Sequence, residues 1–406
     1  MTAPPTARRA AARLRGLPTL ILAQISLHAG MTGLRAIGPL VLLQAGAPAW
    51  QVGLLLACFG FGPLLIAWQV GHLVERHGYR RPMGLAIGLS IVSALFAFGA
   101  SFAGPDLRLI GLCLAGAVSG ASANTGMITL QRTAARMATD AAALRSQFAW
   151  VGLAPSASNV AGPLLAGVLL DLAGASPAML AMLIFPLASI PFARGARTPV
   201  VASKDSRRSP GALRELLGNP TVRRMMLIDF LIFSAWDVHA VIVPILGHAR
   251  ELSATVIGAM HALFAAGVVA VRSVIPWLSH RLTESRAILG SLVASAAIFA
   301  VYPLGSSATF MGVCALALGA TVGVAQPMIM ASLHQAVDED RRGSMLALRS
   351  MWINLQAVGL PVLFASAAST FGWAAVFWVC AGALVSGTRA VPDRRRQNAP
   401  SATPKD

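Results

Sequence analysis

Twelve apolar segments, each about long enough to cross a lipid bilayer, recur along the 406 residues of this chain. A transmembrane helix needs roughly 20 apolar residues to span about 30 Å of hydrocarbon. On that rule we predict helices over residues 18–41, 50–71, 82–102, 107–130, 146–169, 177–193, 223–246, 254–277, 286–305, 309–331, 344–367 and 371–389. Because 56% of the residues are hydrophobic and only 12% are charged, an ordinary water-soluble enzyme is excluded. The predicted fold class is an all-α membrane protein with twelve transmembrane helices.

The basic residues predict how these helices are oriented. A net charge of +17 does not indicate nucleic-acid binding here, because the arginines lie in short runs between the apolar segments. Positively charged loops are retained on the cytoplasmic side of a membrane. If both termini are cytoplasmic, 28 of the 32 lysines and arginines fall on that side, and only Arg108 and Arg250 fall in loops on the other. Since arginine and alanine are abundant, we expect a bacterial protein. The hydrophobic segments and the charge distribution predict a multi-pass protein of the inner membrane with both termini in the cytoplasm.

A polar stretch divides the predicted helices into two groups of six. The predicted organisation is an N-terminal tail (1–17), a six-helix bundle (18–193), a cytoplasmic linker (194–222), a second six-helix bundle (223–389) and a C-terminal tail (390–406). Aligning the chain on itself at an offset of 205 pairs Gly62 with Gly267 and Phe59 with Phe264 without a gap, which indicates duplication. Parallel repeats of this kind place a binding site at their interface, near the bilayer midplane.

The chain shows no pattern that is typical of an enzyme. Its four cysteines lie far apart inside apolar segments and form no CxxC pair that could hold a metal or a disulfide. Neither paired catalytic carboxylates nor a Ser/His constellation accompanies the helices. We therefore expect no catalytic residue, no metal and no cofactor, and we expect a monomer. A membrane-embedded enzyme or sensor is the less favoured alternative.

The loop after the second predicted helix carries a motif of glycines, an acid and basic residues. Its members are Gly71, Leu73, Glu75, Arg76, Gly78, Arg80 and Arg81. Gly78 should permit a turn with positive φ, and Arg80 and Arg81 should remain in the headgroup region. The pattern resembles motif A of the major facilitator superfamily, with Glu75 where aspartate is usual. The resemblance implies that Glu75 contacts the positive N-terminus of helix 11 near Gly343 and closes an inner gate. Alternatively, these charges form only a solvated loop.

The fifth predicted helix carries a second motif of small residues. Gly162, Pro163 and Gly167 are arranged in a way similar to the antiporter motif C of the same superfamily, although Ser158 and Ala166 replace two of its glycines. The resemblance implies export of a substrate in exchange for protons. A close-packed helix crossing explains the same residues equally well.

Ionisable side chains at membrane depth are costly and are therefore candidates for function. Polar and flexible residues at spacings of three and four share one face of helix 1, which we predict to line a central cavity: Gln24, His28, Met31, Thr32 and Arg35. The repeat alignment places Asp237 of helix 7 at a depth similar to that of Arg35. Burial disfavours a charged carboxylate and a nearby guanidinium favours it, so protonation and substrate binding can compete there. We therefore predict Asp237 as the proton site and Arg35 as its partner.

The same polar residues are also compatible with purely structural roles. Arg35 can extend toward the outer interface instead, and Asp237 can be hydrogen-bonded to His239 or to a loop. Asn159 of helix 5 is a further candidate for the proton or substrate site, or it joins helices.

Helices 7 and 8 should form an antiparallel hairpin, which fixes which of their residues share a depth. Asp229 lies level with Arg272, and we predict a structural ion pair between them. The same hairpin sets His239 level with His261, as a possible second titrating pair.

Over essentially its whole length, the chain resembles bacterial major facilitator superfamily permeases near the drug/proton antiporters. The resemblance implies rocker-switch alternating access and proton-coupled efflux of a small-molecule substrate. A mostly apolar cavity suits an amphipathic or aromatic solute better than a sugar. The alternative is a carrier that imports a small organic acid or metabolite, with Arg35 holding its carboxylate.

Overall fold

A computed structural model of the protein describes residues 5–137, 147, 150–195, 212–278, 283–338 and 341–391. Within these ranges the regular structure is helical, and no strand is found. Among the described residues, twelve segments are long and apolar enough to cross a membrane. The predicted fold class is confirmed.

Six membrane segments form the first half of the molecule and six form the second. The first half contains α1 (Pro5–Gln44), α2 (Ala49–His77), α3 (Arg80–Ala100), α4 (Pro105–Met137), α5 (Leu153–Ala173) and α6, which consists of two short helices, Ala175–Ala181 and Ile184–Gly195. The second half contains α7 (Pro220–Ala249), α8 (Ala254–Leu278), α9 (Glu284–Val301), α10 (Ala308–Gln335), α11 (Arg342–Phe371) and α12 (Trp373–Gly387). Because the described residues contain an even number of membrane segments, the start of α1 and the end of α12 lie on one side of the membrane, here called the terminal side.

Several predicted boundaries differ from the structure. α1 begins at Pro5, inside the predicted tail, because alanine and arginine favour helix. The predicted linker contains a short helix, Ala212–Gly218, and α7 then begins at Pro220, where the Asn219 side chain accepts a hydrogen bond from the Thr221 N–H at 2.9 Å. α6 is interrupted, and Pro186 lies in the first turn of its second part, where proline is tolerated.

Glycines allow two helix crossings in which backbone meets backbone. In the first half, α2 crosses α4. A Cβ atom on Gly62 would overlap the carbonyl oxygen of Ala117, and one on Gly120 would overlap the carbonyl oxygen of Phe59. Only glycine permits helices to approach this closely.

The second half repeats this crossing with α8 and α10. A Cβ atom on Gly267 would overlap the carbonyl oxygen of Leu316, and one on Gly319 would overlap that of Phe264. Gly62 and Gly267, like Phe59 and Phe264, are pairs that the offset of 205 aligned. The structure therefore supports the predicted duplication at the level of individual backbone contacts.

The two halves meet closely on the side opposite the termini. On α2, a Cβ atom on Gly53 would lie 2.5 Å from the carbonyl oxygen of Pro361, and one on Gly60 would lie 3.0 Å from Ala357. On the other flank, a Cβ atom on Gly258 of α8 would overlap the carbonyl oxygen of Pro163 on α5. Gly53, Gly258 and Pro361 lie toward the ends of their helices farthest from the terminal side, and the other members of these contacts lie near the helix middles. The molecule is therefore closed on the opposite side.

Candidate functional site

A cavity of about 200 Å³ lies between the two halves. It is lined by His28, Met31, Thr32, Arg35 and Ala36 of α1, Asn159 and Pro163 of α5, Trp236, His239 and Ala240 of α7, and His261, Phe264 and Ala265 of α8. Since α1 and α5 belong to the first half and α7 and α8 to the second, each half contributes part of the wall. The predicted location of the site at the interface of the repeats agrees with this cavity.

An ion pair joins the two halves beside this cavity. Nη2 of Arg35 on α1 lies 3.5 Å from Oδ1 of Asp237 on α7. The Arg35 side chain is 26% exposed and lines the cavity, whereas that of Asp237 is 9% exposed. Arg35 therefore contacts both the solute space and the Asp237 carboxylate. Sequence reasoning predicted this pair, and the structure places the two residues together.

Aromatic rings form the wall that α7 and α8 contribute. The imidazole of His239 stacks on Phe264, with ring centroids 4.5 Å apart, and meets His261 edge-on at 5.3 Å. Trp236 packs its edge against Phe264 at 4.7 Å. The predicted level of His239 with His261 is confirmed. Flat π surfaces of this kind can stack against an aromatic solute.

Several polar atoms beside the cavity have no hydrogen-bond partner among the described residues. These buried atoms are Nδ1 of His28, Nε2 of His261 and Nε of Arg35. Asn159 also lines the cavity, as predicted for a candidate site residue. A cavity with mostly apolar walls and a few convergent polar groups is typical of a small-molecule site.

One residue of the predicted polar face does not belong to the cavity. Gln24 is fully buried, and its side-chain amide donates a hydrogen bond of 3.0 Å to the carbonyl of Ala123 on α4. Its Oε1 atom occupies the space that a Cβ atom on Gly126 would fill. Gln24 shares the helix face of Arg35 but lies closer to the terminal side, where α4 covers that face. The prediction that Gln24 lines the cavity was therefore wrong.

The predicted ion pair between Asp229 and Arg272 was also wrong. Oδ1 of Asp229 accepts a hydrogen bond of 3.0 Å from Arg349 of α11, while Arg272 donates to the Gln326 side chain on α10. An antiparallel hairpin sets the depth of Asp229 and Arg272, but depth does not determine which side of a helix a residue faces. Nothing in the sequence analysis singled out Arg349, which is the partner of Asp229 in the structure.

The motif at residues 71–81 forms a tight turn between α2 and α3. Gly78 has a φ of 65°, as predicted, and its N–H donates to the carbonyl of Val74 at 3.1 Å. Leu73 is half-buried, whereas Arg76, Arg80 and Arg81 are exposed. The predicted contact between Glu75 and the start of helix 11 lies outside the described side chains, as do the surroundings of Gly71.

The motif in α5 forms two close helix contacts. A Cβ atom on Gly162 would overlap the Thr32 hydroxyl of α1, and one on Gly167 would overlap the carbonyl oxygen of Ala254 on α8. Pro163 lines the cavity. The motif therefore produces the close-packed crossing that the sequence allowed, and one of its glycines faces the other half of the molecule.

Asp171, at the end of α5, was missed by sequence reasoning. Its carboxylate accepts hydrogen bonds from the backbone N–H groups of Ala254 and Thr255, at 2.9 and 2.7 Å. The available signal was an acid one turn before Gly174, in a chain with only 15 acidic residues. In the part of the chain that the structure describes, no group of three or more His, Cys, Asp or Glu residues could hold a metal ion.

Comparisons with known proteins agree with this architecture. The family model for the Major Facilitator Superfamily matches residues 20–236 and 225–405. The tetracycline resistance protein, class G, of Vibrio anguillarum is 26% identical over 387 residues, which cover 90% of this chain and 94% of that protein. The class D protein of Salmonella ordonez is 26% identical over 331 residues, or 77% of this chain and 78% of the relative. A solved structure with a similar fold is a bacterial homologue of the iron transporter ferroportin in an inward-facing state. It has a TM-score of 0.70 at 18% identity, over 93% of this chain and 98% of that one.

Proposed function

Since the chain belongs to the Major Facilitator Superfamily, we propose that this membrane transporter exports a small amphipathic or aromatic solute in exchange for protons. Family membership makes the protein a multi-pass transporter and not an enzyme. The proposal adds the solute class, the direction, the coupling ion and a location in a bacterial inner membrane with both termini in the cytoplasm.

The observation that carries this proposal is the ion pair between Arg35 and Asp237. The pair joins α1 to α7 across the interface that must rearrange during alternating access, and the Arg35 side chain also lines the solute cavity. An isolated carboxylate at membrane depth is costly, so Asp237 needs either the guanidinium or a proton. When a solute or a conformational change draws Arg35 away, a proton at Asp237 replaces it. Solute and proton are then linked through one arginine.

The cavity wall supports the proposed solute class. Trp236, His239 and Phe264 present rings, whereas the hydrogen-bonding groups are few and lie near His28, Arg35 and Asn159. A sugar would need many more polar partners. Similarity to tetracycline resistance proteins further favours a polycyclic or aromatic solute and makes tetracycline a reasonable first probe.

Export also agrees with the helix contacts. We propose that Glu75 and the start of α11 form the gate on the terminal side, and that Gly162, Pro163 and Gly167 serve the antiporter role that motif C has in the family. The structure is closed on the side opposite the termini, which is the state in which an exporter would load solute from the cytoplasm.

The test measures proton-driven solute movement by the purified protein in liposomes. A thermal-shift screen at two pH values, with tetracycline and other aromatic drugs, amphipathic cations and organic acids, first identifies a bound probe. With an imposed pH gradient, we expect the wild-type protein to accumulate that probe. The Asp237→Asn variant should still exchange the probe down its concentration gradient but should not accumulate it, because an amide cannot bind and release a proton near neutral pH.

The matched control is Asp106→Asn, which removes an exposed acid in the first turn of α4 and should accumulate the probe like the wild type. If Asp237→Asn retains full gradient-driven accumulation, Asp237 is not the proton site. Uptake by everted membrane vesicles supports export, whereas uptake by right-side-out vesicles supports the alternative, an importer of a small organic acid.

A further inference from the structure

We propose that Asp171 is a gating residue that holds the transporter closed on the side opposite the termini by binding the first N–H groups of α8. The inference rests on the alternating access of the proposed function, because a closed side must open at another point in the cycle. It is independent of which residue carries the proton and of which solute is moved.

The contact is a bidentate interaction between the two halves. Oδ1 of Asp171 accepts from the N–H of Ala254 at 2.9 Å, and Oδ2 accepts from the N–H of Thr255 at 2.7 Å. The first N–H groups of a helix have no partner inside the helix, and they carry partial positive charge. A carboxylate satisfies both needs at once. Asp171 belongs to the first half and α8 to the second, so these bonds join the parts that move.

The backbone packing beside Asp171 holds α5 against the start of α8. Gly167 lies one turn before Asp171, and a Cβ atom there would overlap the carbonyl oxygen of Ala254. Next along the crossing, Gly258 lies against the carbonyl oxygen of Pro163. When the halves rock apart on this side, α5 and α8 separate along this crossing, and both hydrogen bonds must break. Closing the halves forms them again.

The sequence around Asp171 repeats the motif on the terminal side. Residues 167–174 share with residues 71–78 the pattern glycine, any residue, leucine, any residue, acid, any two residues, glycine, at an offset of 96. The matched positions are Gly71 with Gly167, Leu73 with Leu169, Glu75 with Asp171 and Gly78 with Gly174. This internal match relates two helices that run in opposite directions through the membrane.

The backbone follows the same repeat. Gly78 and Gly174 end their helices with φ values of 65° and 81°, and each N–H donates to the carbonyl four residues earlier, at 3.1 and 3.0 Å. Both acids therefore lie three residues before an equivalent helix end, one on each side of the membrane. The described residues show what the acid does at one of these ends, where Asp171 binds the start of a helix in the other half.

Neighbouring acids do not offer the same contact. Asp106 and Glu251 also lie on the side opposite the termini, and both are exposed. Neither side chain makes a hydrogen bond or ion pair across the two halves among the described residues. Of these three acids, only Asp171 binds across the two halves among the described residues, which makes Asp106 a useful control.

The experiment uses double electron–electron resonance to measure the distance between two spin labels, one on each half, on the side opposite the termini. Spin labels are attached to Ala45→Cys and Ser306→Cys, exposed loop positions in the first and second half, after the four native cysteines are replaced. The wild-type protein, in lipid nanodiscs, should show a major short distance and a minor long one. Asp171→Asn keeps one acceptor oxygen but loses the charge. It should therefore raise the ratio of long to short populations by about tenfold, as expected for a lost charged hydrogen bond.

Asp106→Asn in the same labelled background should leave the two populations unchanged. Thermal unfolding is measured in parallel, because a merely structural contact would lower the melting temperature without moving the populations. Unchanged populations in Asp171→Asn, with or without lower stability, would overturn the proposal. The readout needs no substrate and no pH gradient, so a failure of proton coupling at Asp237 would not affect it, and a failure here would leave Asp237 untouched.

Discussion

At the scale of single residues, Asp229 shows how a buried charge is tolerated in this protein. Its side chain is fully buried on α7, and its partner Arg349 is 14% exposed on α11. Arg349 also lies over the ring of Phe233, with its central carbon 5.7 Å from the ring centroid. Removing one member of a buried ion pair leaves the other as an unpaired buried charge, whereas removing both members leaves no buried charge. The two charges should therefore depend on each other for stability.

We predict an asymmetric effect of removing either charge. Asp229→Asn should lower the stability of the purified protein by about 3–5 kcal/mol, because the guanidinium of Arg349 cannot lose its charge. Arg349→Gln should cost less, since a proton can neutralise Asp229. The double variant should recover most of the loss in melting temperature. Recovery in an Asp229→Asn/Arg272→Gln double variant instead would contradict the observed partner.

These residues also show what sequence could and could not predict. Arg35 and Asp237 were matched because the internal repeat sets a similar depth for them, and because the family resemblance implies that helices 1 and 7 face each other across the cavity. Asp229 and Arg272 were matched by depth alone. The direction of Asp229 depends on the placement of α11 beside α7, which no local pattern in the sequence encodes. The same holds for Gln24, whose helix face is covered by α4 only at its own level.

At the scale of helices, the crossings of α2 with α4 and of α8 with α10 are the most restrictive contacts. In each, a glycine on one helix faces a backbone carbonyl on the other. Sequence reasoning found Gly62 and Gly267 as a repeat pair, yet small residues are common throughout membrane helices. Only the structure separates the glycines that hold two helices together from those that face lipid.

We predict that Gly62→Ala destabilises the protein by about 1–3 kcal/mol, because the added methyl group overlaps the carbonyl of Ala117 and the helices must move apart. The measurement is the melting temperature of the purified protein in detergent. Gly88→Ala on α3 is the matched control, since nothing lies within 4 Å of its added Cβ atom. It should leave stability unchanged or raise it slightly, as alanine favours helix. Equal effects of the two substitutions would exclude a packing role for Gly62.

At the scale of the whole molecule, helix number, duplication and the position of the cavity follow from the hydrophobic pattern and the repeat. These features are collective, so errors of a few residues at helix ends do not change them. Which side of the molecule is closed could not be predicted. That state depends on contacts between the halves, such as Gly53 with Pro361 and Asp171 with α8. The free energies of the two conformations differ by only a small amount compared with the sum of such contacts.

The orientation of the molecule in the membrane gives the last prediction. Ser306 and Asp338 lie just beyond the two ends of α10, which at 28 residues is about 42 Å long, so a membrane separates them. In intact cells, a membrane-impermeant maleimide should label Ser306→Cys and should reach Asp338→Cys only after the cells are permeabilised. Both variants need a background without the four native cysteines, and that background alone should remain unlabelled. The reverse pattern would place the termini outside the cytoplasm. The orientation predicted from the basic loops would then be wrong. The closed side of the structure would face the cytoplasm, so it could not admit a solute for export.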